Sequence, residues 1–303
     1  MRYIPLSNSV YKRNRRNFMD EMKGNSLAVF NSNDIYPVSA DSELPFEQHR
    51  DIFHLTGIDQ EETILILYPA SKNHKTREIL FIRKSDNHTK VWEGEKLSKK
   101  QANELSGINN ICYVEDFKDI LSSIATKVDT FYINKNEHYR ANSPVETRED
   151  RFISWLLKKY PAHNIAKSNP ILQRQRSLKH PSEIDQIKRA CEITGKGFNR
   201  VLKFIKPNIW EYEIEAEFIH EFINNSSKGF AYSPIIASGN DNNVLHYIKN
   251  NKKCKSGELI LMDVGAEYGN YSSDMTRTVP VSGKFSKRQK EIYNAVLRVK
   301  NEA

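Results

Sequence analysis

The sequence predicts an α/β domain followed by an α+β layer, and three observations carry that prediction. Short apolar runs alternate with helix-like segments through the first half of the chain. From Ile184 to Ile205 apolar positions recur at alternating spacings of three and four, which is one face of a long helix. After Gly229 the pattern shortens to strand-like runs. At 303 residues the chain has room for two cores, because single cores rarely grow past about 250 to 300 residues. The division falls at 172/173, giving domains 1–172 and 173–303.

The strands of the first domain are read at Ser26–Phe30, Thr63–Tyr68, Ile79–Arg83 and Thr130–Asn134. Helices lie between them. Arg15 to Lys23 carries Phe18 and Met22 at i, i+4 and stops at Gly24, while "REDRFISWLLKKY" sets Phe152, Leu156 and Leu157 on one side and stops at Pro161. "AHNIAKSNP" reads as a polar connection into the second domain. There the long helix buries Ile184, Ile187, Cys191, Thr194, Phe198, Val201 and Ile205 and ends at Pro207. A second helix buries Ile214, Phe218 and Phe222, with Glu211, Glu213, Glu215 and Glu217 mostly outward. Two helices followed by antiparallel strands make an α+β layer.

A formal charge of +8 permits anionic partners, but the basic residues are scattered among 38 acidic ones. The densest clusters, Lys12–Arg16 and Lys249–Lys255, are not interleaved with aromatics as a nucleic-acid platform would be, so no nucleic-acid partner is expected. No apolar run approaches the roughly 20 residues that span a bilayer, and the N-terminus has no signal-type apolar segment. A cytoplasmic protein without a membrane partner is expected. Cys112, Cys191 and Cys254 are far apart and signal neither a thiolate zinc site nor a disulfide framework.

The chemistry concentrates in "LILMDVGAEYGNYSSDMTRT", residues 259–278. An antiparallel hairpin turning between Tyr268 and Gly269 would set Asp263 directly opposite Asp274, with Gly269 supplying the positive φ of a two-residue loop. Cross-strand carboxylates at roughly 5 Å repel by about 3 kcal/mol at an effective dielectric near 20, so the pair calls for a cation or a shared proton. Spacing alone leaves other readings open: Asp263 at an exposed strand edge, an ion pair with Arg277, or a register displaced by a residue or two.

The run "GELILMDVGAEYGNYSSDMTRTVPVSGKFSKRQKEIYNAVL" resembles the metal hairpin of the pita-bread metallopeptidases, specifically the aminopeptidase P (Xaa-Pro aminopeptidase) family, through D-x-G-x-x-x-x-x-Y-x-x-D-[IM]-T-R-T. "NVLHY" matches the segment ahead of that hairpin. "RRNFMDEM", "HLTGIDQEETILIL" and "VWEGEKLS" look like the creatinase-like N-terminal domain of the bacterial enzymes. The resemblance implies a creatinase-like α/β domain followed by an α+β pita-bread domain that is incomplete here.

It also implies two divalent metal ions, manganese in most members, with Asp263 and Asp274 as the first two ligands and Asp274 bridging. A hydroxide held by both ions would attack the carbonyl of an N-terminal Xaa-Pro bond. His246 would donate to the substrate carbonyl or the developing oxyanion. Tyr247 would line the pocket, Arg277 would pair with charge near the carboxylates, and Trp92 would either reach a neighbouring subunit's site or pack within the first domain. Peptides with proline in second position are the implied substrates, and a homodimer or tetramer the implied assembly.

The family's remaining ligands, a histidine and two glutamates, lie beyond "YNAVLRVKNEA", where the chain stops inside an apparent helix capped by Ser286 with Ile292, Val296 and Val299 on one face. The chain therefore reads as cut off. Three other readings stand beside the aminopeptidase. A prolidase would prefer Xaa-Pro dipeptides, a methionine aminopeptidase would lack the large first domain, and a non-catalytic pita-bread module would bind peptides or proteins without metal. The 303-residue chain alone is expected to be inactive; turnover of an Xaa-Pro peptide by it at an enzyme-like rate with added Mn²⁺ would contradict that expectation.

Overall fold

Alternation along each strand of the first unit sends successive side chains to opposite faces, and helices cover both. The computed structural model describes residues 2–135 and 144–303. They form two units, Pro5–His180 and the chain up to Ile4 together with Pro181–Ala303. The first runs α1 (Asn8–Glu21), β1 (Ser26–Asn31), a small exposed hairpin of β2 (Pro37–Ser39) and β3 (Ser42–Glu43), α2 (Arg50–Thr56), β4 (Ile64–Leu67) and β5 (Glu78–Ile82). Then come α3 (Asn87–Glu93), α4 (Lys99–Ser106), β6 (Ile111–Tyr113), α5 (Phe117–Ala125), β7 (Thr130–Ile133), α6 (Arg148–Lys159), β8 (Asn164–Lys167) and α7 (Asn169–Ser177).

The mixed sheet has the order β6-β5-β4-β1-β7-β8. Ala28, Phe30, Leu65, Leu67, Leu80 and Ile82 point to one side, where Phe18, Ile52, Leu55 and Ala102 meet them. Leu27, Val29, Ile64, Ile66, Ile79 and Phe81 point to the other, against Phe117, Leu121, Phe152 and Leu156. Leu157 is exposed, so the apolar face of α6 is narrower than its spacing suggested. The segment read as a polar connection contains β8. Its residues are mostly exposed because an edge strand needs only backbone pairing, here parallel to β7. Ile171 and Leu172 of α7 are buried in the first unit's core, and the compact unit extends to His180.

Arg15 ties this unit together. Its guanidinium is fully buried, donates to the carbonyls of Leu55 (2.8 Å) and Ser106 (3.0 Å), and lies 3.1 Å from the Glu78 carboxylate. Burial lowers its pKa from the ordinary arginine value, while Glu78 opposes that shift.

In the second unit α8 (Pro181–Phe204) and α9 (Glu211–Asn224) back a set of short strands: β9 (Gly229–Phe230), β10 (Ile235–Ser238), β11 (Leu259–Val264), β12 (Ala266–Tyr268), β13 (Tyr271–Ser272) and β14 (Met275–Pro280). They pair as β10-β11-β14 and β13-β12-β9. The helices cover the face bearing Ile236, Ile260, Met262 and Val264.

The stripe on α8 differs from the spacing at its N-terminal half. Ile184 and Cys191 are exposed, and Glu183, Ala190, Ile193 and Gly197 are buried instead. Small residues let α9 approach: a Cβ at Gly197 would lie 2.8 Å from Phe222 and 2.9 Å from Phe218. A final helix, α10 (Lys287–Glu302), takes the predicted cap from Ser286 and leaves Ile292, Val296 and Val299 exposed.

Arg15→Met keeps much of the side-chain volume but leaves two carbonyls and Glu78 without their donor. Removing one partner of a buried, hydrogen-bonded charge costs about 3 kcal/mol or more, so urea unfolding of this variant should show a loss of about that size in the first unit.

Candidate metal centre

The hairpin turns one residue later than its spacing predicted. Gly269 (φ +61°) and Asn270 (φ +67°) form the two-residue loop, with Tyr268 paired to Tyr271 and Glu267 to Ser272. Such a loop needs positive φ at both central residues, which Gly and Asn tolerate and Tyr does not. Asp263 consequently pairs with Thr276 and not with Asp274. The displacement of the partner is two residues, and because side chains alternate with a period of two, Asp274 stays on Asp263's face as a diagonal neighbour.

Between β11 and β12 the strand breaks at Gly265, and between β13 and β14 it breaks at Ser273–Asp274. The two breaks are stitched together. Ser273 N donates to the Ala266 carbonyl at 3.0 Å, and Ala266 N donates to Ser273 Oγ (3.0 Å) and to Thr194 Oγ1 (2.9 Å) of α8. The two hydroxyls lie 2.7 Å apart. A Cβ on Gly265 would sit 1.9 Å from the Ser273 carbonyl oxygen, so only glycine allows so close an approach. Ala231 N donates to the Gly265 carbonyl (2.8 Å), which carries the next residue, Tyr232, over the same point.

Tyr232 is the residue the sequence reading missed. Its hydroxyl lies 2.7 Å from Asp263 Oδ1 and 3.0 Å from Asp274 Oδ1. A phenol has one proton to donate, so one O–H serves two carboxylates. Burial, followed by the two carboxylates, raises the phenol's pKa well above the ordinary tyrosine value. No local pattern marks Tyr232, whose partners stand 31 and 42 residues away. The two carboxylates and the phenol present oxygen donors with excess negative charge, a fit to part of the shell of a hard divalent cation. Among the described residues no group of three or more His, Cys, Asp and Glu side chains comes together to hold a metal.

His246 is exposed in the loop after β10. Its neighbour Tyr247 is buried with Ile235, Ala237 and Leu261, and Ile235 pairs with Asp263, so the loop sits over the sheet face that carries the carboxylates. The Tyr247 hydroxyl donates to Glu211 Oε2 at 2.8 Å, and burial, then Glu211, raises its pKa. Glu211 itself is fully buried, contrary to the outward placement expected of it. Arg277 pairs with Met262 and so belongs to the opposite face from Asp263; its guanidinium donates to the Thr276 carbonyl at 2.7 Å. Trp92 lies in the first unit on α3, 74% exposed with its ring tilted 32° to that of His88, and does not pack in that unit's core. Cys254 is buried, and burial followed by the Glu211 charge pushes its thiol up to about 11, far from a reactive thiolate.

A carboxylate pair on a helix-backed hairpin, preceded by an α/β unit, belongs to a definable class. Residues 185–303 match Metallopeptidase family M24, and residues 11–132 match the aminopeptidase P N-terminal domain. The Xaa-Pro aminopeptidase of Escherichia coli is 30% identical over 298 residues, covering 96% of this chain and 66% of the relative. Human Xaa-Pro aminopeptidase 3 is 29% identical over 89% of this chain and 53% of its own length. A solved structure assigned to aminopeptidase P of Bacillus anthracis superposes with a TM-score of 0.90 at 30% identity, covering 97% of this chain and 70% of that one. E. coli aminopeptidase P with the inhibitor Pro-Leu superposes at 0.86, also at 30% identity, over 97% and 67%. The chain belongs to the aminopeptidase P family of M24 metallopeptidases, and it spans about two thirds of the length of the bacterial relatives it matches. Membership in this family implies divalent metal ions. Among the described residues no helix is long and apolar enough to cross a membrane.

Gly265→Ala tests this close approach. A backbone oxygen cannot move aside as a side chain can, so the variant should lose about 3 kcal/mol or more in urea unfolding, and the Tyr232 ring should show altered near-ultraviolet dichroism as its two partners separate.

Proposed function

We propose that the protein carrying these two units is a cytoplasmic, metal-dependent aminopeptidase that releases the N-terminal residue from peptides with proline in second position. The observation that carries the reading is the single phenol shared by Asp263 and Asp274 on one face of the hairpin. The Xaa-Pro aminopeptidase relatives and the Pro-Leu inhibitor on the E. coli enzyme support the substrate class.

Asp263 and Asp274 would hold divalent metal, and their oxygen donors suit Mn²⁺. A bound divalent ion supplies Lewis-acid activation of a peptide carbonyl and of water. Tyr232 keeps both carboxylates on one side of the hairpin and, protonated at neutral pH, adds no third negative charge. His246, exposed on the loop over that face, donates a hydrogen bond to the substrate carbonyl as negative charge develops there. Tyr247, buried beneath it, holds the loop. Arg277, on the far face, takes no direct part in holding the ion. Trp92 is presented to solvent by the first unit, as suits a residue that reaches a neighbouring subunit's site in a dimer or tetramer.

Mn²⁺ titration of the chain followed by electron paramagnetic resonance, with hydrolysis of an Xaa-Pro-Yaa peptide and an Xaa-Pro dipeptide by the full-length protein measured alongside, tests this reading. Asp263→Asn and Asp274→Asn should each weaken Mn²⁺ binding at least about tenfold and reduce any turnover of the longer peptide by about 100-fold or more. Unchanged binding in both variants would overturn the metal assignment, and preference for the dipeptide would favour a prolidase.

A further inference from the structure

Glu211 is the first residue of α9, where the helix N-terminus favours a negative charge. Its side chain is fully buried, and both oxygens are doubly occupied. Oε1 accepts from Ser238 N and Ser238 Oγ, each at 2.7 Å. Oε2 accepts from the Tyr247 hydroxyl at 2.8 Å and Lys252 N at 2.9 Å. Its own backbone N donates to the Lys252 carbonyl at 3.0 Å.

These four donors belong to the two roots of one loop. Ser238 is the last residue of β10, and Tyr247 and Lys252 lie at the loop's return. The loop is closed again by Lys252 Nζ, 3.3 Å from the Ser238 carbonyl and 3.4 Å from Asp241. Asn250 pins the return to β10, accepting from Ile236 N (3.0 Å) and donating to the Pro234 carbonyl (3.0 Å) and Glu215 (2.8 Å). His246, exposed, rides on the segment between these anchors, directly before Tyr247.

We propose that Glu211 is a positioning residue: its buried carboxylate clamps both roots of the 239–252 loop and thereby sets where His246 stands over the carboxylate face. The role assigned to His246 rests on the aminopeptidase reading; the clamp does not. The carboxylate is the group this arrangement requires. A carboxamide of the same shape keeps one acceptor oxygen and turns an NH₂ toward the other pair of donors, so at either the strand end or the loop return a buried backbone N–H loses its acceptor and the hydroxyl beside it must turn from donor to acceptor.

Hydrogen–deuterium exchange of the 303-residue chain, compared with Glu211→Gln, measures the clamp without metal or substrate. Amides in 239–252 should exchange at least about tenfold faster in the variant, with α8 and β11 unchanged, and the His246 imidazole resonances should shift. Tyr247→Phe, which removes one donor and leaves the carboxylate, should accelerate 244–252 less, and adding it to Glu211→Gln should bring little further change. Exchange in 239–252 that is unchanged, or that rises equally in α8 and β11, would overturn the proposal. If Glu211→Gln does not unfold cooperatively, Tyr247→Phe decides alone, and unchanged exchange in 244–252 refutes the clamp. Mn²⁺ binding in the same samples should be unaffected by Glu211→Gln. Loss of the metal reading at Asp263 and Asp274 would leave the exchange result standing, so the two ideas fail separately.

Discussion

The carbonyl oxygen of Ser273 occupies the space that any side chain at residue 265 would need. That contact governs the second unit, because both strands of the hairpin break there and the two breaks lie against each other. Thr194 and Ser273 satisfy the Ala266 amide that the break would otherwise strand. With the two breaks held together, β11 and β14 share a single register with the turn beyond, and Asp263, Asp274 and Tyr232 arrive at one place from three separate stretches of chain. Thr194 reads in the sequence as one more member of an apolar stripe; its hydroxyl is the group that matters.

How much of this was legible varies with the range of the forces involved. Phe218 and Phe222 announce their burial by spacing, because a helix imposes that period on its own neighbours. The register was legible only to within the choice of turn. Reading the loop at Tyr268–Gly269 overlooked that both central residues need positive φ, which Asn270 meets and Tyr268 does not. The pairing of the two aspartates on one face survived because moving a hairpin turn by one residue moves every partner by two, an even step that preserves the face.

Other features had no local signature. Glu211 stands in the series Glu211, Glu213, Glu215, Glu217, which has the look of a solvated helix edge, and its burial follows from donors 27 to 41 residues distant. Tyr232 carries no pattern at all. The edge strand β8 was hidden for the opposite reason: most of its side chains face water, so alternation leaves no mark on it. On α8 the buried stripe passes through Ala190 and Gly197, and an eye drawn to Ile184 and Cys191 follows bulk where the packing follows smallness.

The same unit thus contains two carboxylate arrangements of different character. Glu211 is surrounded by donors, four for its two oxygens, and sits at a helix N-terminus. Each oxygen of that carboxylate is thus engaged by two donors. Asp263 and Asp274 share one phenolic proton, so on the same accounting the pair remains short of positive charge. Like charges brought together at such a deficit persist in a fold only where something else relieves them, and the partial exposure of Asp263 and the open exposure of Asp274 leave room for it to enter from solvent. The contrast separates a carboxylate surrounded by donors from a pair left short of them.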